Sequence, residues 1–345
     1  MPKQSFIKRT IQSKSFLLLA VTAGILILTA IVKPVAFSLA NGRELLQRLS
    51  YSLVFLCGVS MLLISGGIDF SLSSMASAAT VIFAQLVKMK VPWGGAALAA
   101  LAFGAVAGLI NAFFVNKLNM MSFIATIGMS SVWAGFAAWY TRGMQISVVS
   151  ATFNKISKIY LPSTSKGLIP LVFVIGAVLV LAYSLVLKFT RFGRSVLMIG
   201  GNAAAARLAG LKPKLVSSLL FVNASVLGVA GGLIFASQQK AGGPALLTTT
   251  MPEMTALTAS ILGGVAFSGG SGSLAGAFSG VLLIQVLAYA LQVMIPTLTW
   301  VQLFVNGMLL VVALTVDGFN MKRRLKKLGI KSAGGGGRMI MPGAK

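Results

Sequence analysis

The chain has 345 residues, 57% of them hydrophobic and 10% charged, with a mean hydropathy of +0.93. A soluble domain carries about 25% charged residues, so the composition excludes a water-soluble enzyme and indicates an integral membrane protein. Lysine and arginine total 29 against four acids, a net charge of +25; loops facing anionic lipid account for such an excess without nucleic acid as a partner.

Residues 1–15 form a basic segment expected in the cytoplasm. The apolar run from Phe16 is too long for a signal-peptide core and has no small-residue cleavage site, so it is taken as the first span. Windows of about 20 mainly apolar residues predict ten spans: 16–37, 47–65, 69–87, 93–115, 121–141, 168–187, 215–236, 254–268, 272–294 and 299–317. The fold class expected is therefore all-α, a polytopic membrane protein of about ten transmembrane helices. The third and eighth windows border glycine-rich stretches, and the eighth is short. With the N-terminus inside, ten spans leave both termini cytoplasmic. The charges agree: 19 of the 29 cations fall in the cytoplasmic segments, namely four in the N-terminal segment, Lys117, six in 188–214 and eight after Asp317. The other ten are at outer loops or span ends, which still fits the positive-inside rule.

Segment 188–214 holds six positive charges and no negative one. Asn202 is a good N-cap, 203–209 holds strong helix formers and Gly210 is a natural stop. The result is a cytoplasmic helix of about two turns, roughly 10 Å long. It has no room for a site of its own, and suits a groove on another protein. The alternative, an amphipathic helix on the inner leaflet with Arg207 and Lys212 on headgroups, suffers from too little apolar bulk. The transmembrane domain is thus 16–318, and 319–345 is a basic, glycine-rich cytoplasmic tail resting on lipid headgroups.

Absent chemistry narrows the class further. No phosphate-binding Gly-x-x-x-x-Gly-Lys-Ser/Thr loop occurs, so the chain does not hydrolyse ATP alone. It has no histidine, and Cys57 is its only cysteine, which removes the usual metal constellations. The acids Glu44, Asp69, Glu253 and Asp317 all fall near predicted span ends, unlike the deep ionisable groups of ion-driven carriers. The expectation is a translocation pathway, not an enzyme, with no cofactor of its own.

Several motifs, in order, resemble the ribose-type (simple sugar) permeases of bacterial ATP-binding-cassette importers. They are Gly66-Gly-Ile-Asp-Phe-Ser71, Asn111 with Phe123-Ile-Ala-Thr-Ile-Gly128, Arg191-Phe-Gly-Arg194 followed by Gly201-Asn202 and Ala205-Ala206 to Gly210, and Glu253 through Gly264 to Gly269-Gly-Ser-Gly-Ser-Leu274. The resemblance runs from about Tyr51 to Gly318. It departs at Ser73 or Ser74, where the family often has Gly, and near Ser271, where it commonly has Arg. The resemblance implies a multi-pass subunit of the bacterial inner membrane that moves ribose or a similar monosaccharide inward by alternating access. Implied partners are a cytoplasmic ATPase carrying ATP and Mg, an extracytoplasmic sugar-binding protein, a second permease subunit and membrane lipid. It assigns ATPase coupling to Gly201, Asn202, Ala205, Ala206, Arg207 and Gly210. Candidates for the path or gate are Asp69, Asn111, Phe123, Thr126, Gly264 and Gly270.

Each candidate has a plainer reading. Asp69 can cap a helix or serve as a polar element at a broken helix. The late glycines can permit close helix packing or a hinge. Asn111, Asn116, Asn223, Gln285, Gln292 and Asn306 can line a polyol path or tie helices together, and Phe123, Trp133, Trp139 and Tyr140 can stack on sugar or form an interfacial belt. At the level of function, the alternatives are a permease of the same engine for a nucleoside or branched amino acid, and a structural or regulatory membrane protein with no path.

Overall fold

The structure, a computed structural model, describes residues 14–148, 150–162, 167–295 and 299–327, with the side chains of 299–303, 306 and 320–327 excepted. Most of the N-terminal segment and the glycine-rich end of the tail are therefore outside the described residues, as are Lys166 and the side chain of Asn306.

All ten predicted windows fall on helices. In chain order these are α1 (Lys14–Val32), α2 (Leu39–Ile64), α3 (Leu72–Lys88), α4 (Trp93–Ala112) and α5 (Ser122–Thr141), then a short α6 (Ala151–Ile156) and α7 (Leu171–Phe189). Two further short helices, α8 (Arg191–Gly201) and α9 (Ala203–Leu208), precede α10 (Pro213–Gln239), α11 (Pro252–Leu262), α12 (Leu274–Met294) and α13 (Thr299–Lys327). Among the described residues, seven are long and apolar enough to cross a membrane: α1, α2, α4, α5, α7, α10 and α12.

Helix α2 is the axis of the bundle. Every residue from Leu49 to Ile64 is buried, as expected of a helix apolar all round, and α7, α10, α11 and α12 pack on it. Small residues allow the closest approaches. A Cβ on Gly58 would lie 2.8 Å from the Ala224 Cα of α10, so backbones touch where no hydrophobic drive separates lipid from leucine. Peripheral helices instead turn their apolar side chains outward; Leu17, Ile31, Leu98, Trp139 and Leu181 are exposed, as lipid-facing residues should be.

Two windows are not simple crossings. Helix α3 starts only at Leu72, after a seven-residue interruption, and α11 has 11 residues. At 1.5 Å per residue α11 spans about 16 Å, half of a ~30 Å hydrocarbon core. The chain before it runs back along α3 in a non-helical form, with the Gly243 amide donating to Thr80 Oγ1 at 3.3 Å and the Leu247 amide to Ser77 Oγ at 3.0 Å. Side-chain hydroxyls satisfy backbone groups that lipid could not.

Strands occur only as two small antiparallel pairs among the described residues, β1 (Ile146–Ser147) with β4 (Ala241–Gly242) and β2 (Tyr160–Leu161) with β3 (Ile169–Pro170). Both pairs cap the end of the bundle opposite α8 and α9, where α6 packs Phe153 against Phe83 of α3, ring centroids 4.4 Å apart.

Candidate functional site

The interruption between α2 and α3 is built by local chemistry. Gly66 takes a φ of +87° and the Gly67 amide reaches back to the Leu62 carbonyl at 3.0 Å, ending α2 with a left-handed glycine. Asp69 then closes a turn. Its Oδ1 accepts from the Ser71 amide at 2.8 Å and from Ser71 Oγ at 2.6 Å. Oδ2 accepts from Asn111 Nδ2 at 2.9 Å, and the same nitrogen donates to Ser71 Oγ at 2.8 Å. Asp69 is therefore not a simple cap of α3: it holds the break to the end of α4.

Helix α5 supports the break from the other side. The Phe70 amide donates to Thr126 Oγ1 at 3.1 Å, and the Ile68 amide to Ser122 Oγ at 3.4 Å. Phe123 meets Phe70 edge to face at 5.4 Å. Asp69, Asn111, Phe123 and Thr126, scattered over 58 residues of sequence, thus converge on one helix break.

Glu253 completes the cluster, and sequence reasoning missed its place there. Its Oε1 accepts from Ser73 Oγ at 2.6 Å, while Oε2 has no partner. Both Asp69 and Glu253 are buried and line one small void of about 10 Å³ beside Leu62, Gly67 and Leu257, room for about one water. Both acids fall near predicted span ends, yet Asp69 sits in the interruption before α3 and Glu253 in the first turn of the half-length α11, and both places lie inside the bundle. The available signal was Ser73 itself, a hydroxyl at one of the two positions, Ser73 or Ser74, where the resemblance departs from its pattern.

The second break, 263–273, follows α11. Gly264, Gly269, Gly270 and Gly272 all have positive φ. Gly270 contacts the first break, donating its amide to the Ile64 carbonyl at 2.8 Å. Gly264 lies apart from that contact, and a Cβ there would meet only Lys14 Cδ, at 3.5 Å. Asp317 of α13 accepts from the Phe267 amide at 3.3 Å, which ties the last helix to this loop.

The 188–214 segment contains more helix than its composition suggested. Helix α8 is capped by Thr190 Oγ1, which accepts from the Gly193 amide at 3.0 Å, and its Val196 and Ile199 are buried. Asn202 Oδ1 then caps α9, accepting from the Ala205 amide at 3.0 Å. Gly210, at φ +81°, ends it, with Leu211 N reaching the Ala206 carbonyl. Within this six-residue helix the faces differ sharply. Ala206 is 1% exposed and Leu208 91% exposed. Ala205, Arg207, Asn202, Gly201 and Gly210 are exposed. Ala206 packs inward, and the projecting apolar knob is Leu208, a residue hidden in sequence because six residues give no readable periodicity.

The opposite end is cationic. Lys33, Lys88, Lys90, Arg142, Lys155, Lys158 and Lys240 are exposed there, and the described residues form one ion pair, Arg48 to Glu44 at 2.7 Å. Of the polar span residues, Asn116 bonds Ser218, Asn223 bonds Tyr183, Gln285 bonds Ser52 and Gln292 bonds Arg48; these tie helices together. Trp133 and Phe103 pack edge to face, whereas Trp139 and Tyr140 are exposed.

Broken helices with buried polar groups at the break, embedded in a bundle of long apolar helices, define a polytopic transport-type membrane protein. Residues 45–314 match a family described as branched-chain amino acid transport system / permease component. Similarity extends over whole chains: 28% identity over 334 residues with the galactose/methyl galactoside import permease protein MglC of Haemophilus influenzae, covering 91% of this chain and 98% of that one. The ribose import permease protein RbsC of Escherichia coli K12 is 27% identical over 296 residues (85% and 91%). The L-arabinose transport system permease protein AraH of the same strain is 29% identical over 324 residues (94% and 96%). The chain belongs to this permease family, and ribose, galactose and arabinose permeases are among the proteins it resembles.

Proposed function

We propose that this chain is the membrane-spanning subunit of an ATP-driven importer for a monosaccharide of the ribose, galactose or arabinose kind. The observation that carries the reading is the whole-chain similarity to three permeases whose names all specify a simple sugar. The geometry supports it at both ends of the bundle.

At one end α9, capped on both sides and carrying the exposed Leu208, serves as the knob for a cytoplasmic ATPase, which binds ATP and Mg. Gly201, Asn202, Ala205, Arg207 and Gly210 shape that knob, and Ala206 seats it on the permease. The positive-inside bias puts this end, and both termini, in the cytoplasm of a bacterium whose inner membrane holds the protein. At the other end, exposed cations meet an extracytoplasmic sugar-binding protein. A second permease subunit, the same chain or a related one, completes the path.

Alternating access then acts on the two breaks. Asp69, Asn111, Phe123 and Thr126 tie the first break to α4 and α5, and Gly264 and Gly270 belong to the second. Motion of α9 shifts the breaks, opens a path past polar groups and lets sugar leave by weak contacts. The chain itself makes and breaks no covalent bond.

The test is uptake by proteoliposomes holding the permease and its ATPase, with binding protein outside, offered radiolabelled ribose, galactose, arabinose, leucine and a nucleoside. ATP-dependent accumulation of a sugar is the expected result. Accumulation of leucine or the nucleoside alone would transfer the reading to that solute, in keeping with the family's description. No uptake of any solute would leave a membrane protein with a non-transport role.

A further inference from the structure

Three segments remote in sequence meet backbone to backbone where α8 ends. The Ile64 carbonyl, the last of α2, accepts from the Gly270 amide at 2.8 Å. A Cβ on Gly200 would lie 1.9 Å from that same carbonyl oxygen and 2.5 Å from the Gly270 nitrogen. A Cβ on Gly270 would lie 2.5 Å from the Gly201 Cα, and one on Gly269 would lie 2.8 Å from the Gly66 nitrogen. The end of α8 is thus wedged against both helix breaks at once, with no side chain in between.

We infer that Gly200 is the positioning residue through which movement of α9 reaches both breaks together. This rests on the transport reading above. Only Asn202 separates α8 from α9, and α8 is held by its Thr190 cap and its buried Val196 and Ile199. A push on α9 therefore moves the Gly200–Gly201 corner. Side-chain contacts would absorb part of that movement by changing rotamer; a backbone contact has no such slack.

The receiving elements are equally tight. Ile64 directly precedes the turn that Asp69 closes. The 263–273 loop is bonded across its own neck, Ala266 N to Ser271 O at 3.0 Å, and leads into α12 through the Ser273 cap on the Gly276 amide. One displacement thus acts on α2–α3 and α11–α12 in concert. A larger side chain at Gly200 would separate the two breaks from the coupling helix without touching the surface of α9.

The test measures, in the same vesicles, sugar uptake and phosphate release by the permease–ATPase complex with binding protein, using labelled ribose, galactose and arabinose. Gly200→Ala is expected to keep ATPase co-purification and hydrolysis while sugar moved per ATP falls about tenfold, within the range that mutations along a coupling route produce. Gly201→Ala, whose Cβ would lie 4.0 Å from the Gly270 Cα, should lower the ratio less, and Gly201→Val more than Gly201→Ala. Gly135→Ala in α5, with nothing within 4 Å of the added Cβ, should change neither measurement. An unchanged ratio in Gly200→Ala would overturn the proposal, as would parallel loss of ATPase binding and uptake, which marks local unfolding. If Gly200→Ala fails to accumulate in the membrane, the Gly201 pair decides: a wild-type ratio in Gly201→Val overturns it. Absence of uptake in the unmutated complex would reject the transport reading itself, a result distinct from any of these.

Discussion

Asn111→Ala is the sharpest probe of the first helix break. Asn111 is fully buried, and its Nδ2 donates to Asp69 Oδ2 at 2.9 Å and to Ser71 Oγ at 2.8 Å. In a soluble core the bond to a carboxylate would contribute about 2 kcal/mol and the bond to a hydroxyl about 1 kcal/mol. Hydrogen bonds between helices in a bilayer average only about 0.6 kcal/mol, because the loosened state finds other partners. The expected loss is therefore about 2 kcal/mol, between the two limits. It is read as the change in unfolding free energy of purified permease denatured reversibly from mild detergent into SDS. Asp69→Ala and the double variant complete a cycle. The contact predicts a coupling energy of about 1 kcal/mol or more, since both single changes break the same bond. Additivity within about 0.3 kcal/mol would refute the argument that Asn111 holds the break through Asp69. Uptake should fall in Asn111→Ala, because the turn that orients α3 loses its tie to α4.

Leu208→Glu should leave the permease's own stability unchanged, since the side chain is 91% exposed, yet reduce ATPase co-purification by burying a charge in the partner's groove. Ala206→Glu should do the reverse and lower membrane levels of the permease, measured by quantitative blot, because that position packs inward. Raising salt from about 50 to 500 mM should weaken capture of the binding protein by immobilised permease, as screening cuts the reach of the exposed cations; salt-independent binding would remove them from the docking surface. Gly58→Val should destabilise the bundle by several kcal/mol, because its Cβ would press on the Ala224 backbone at 2.8 Å, and a normal detergent melting midpoint would contradict the close approach of α2 and α10.

Much of this protein is legible without coordinates. Apolar length alone locates ten helices, since lipid accepts no backbone that does not bond to itself. Asn202 and Gly210 mark the two ends of α9, because capping is a local exchange between a side chain or a left-handed residue and the free groups of one helix end. The order of the glycine, aspartate and asparagine motifs likewise carries the family. Tertiary structure alone decided the rest. Which face of α9 projects depends on what α8 and α10 cover, so Ala206, a coupling candidate by resemblance, packs inward while Leu208 projects. Asp69 and Glu253 lie 184 positions apart yet share a void, because the first break and the start of α11 meet inside the bundle and Ser73 of α3 reaches across to the second acid. The contact of Ile64, Gly200 and Gly270 has no sequence signature beyond two common glycines. It exists only where three chain segments cross, and the absence of a side chain is informative only once the atom that would collide with it is known.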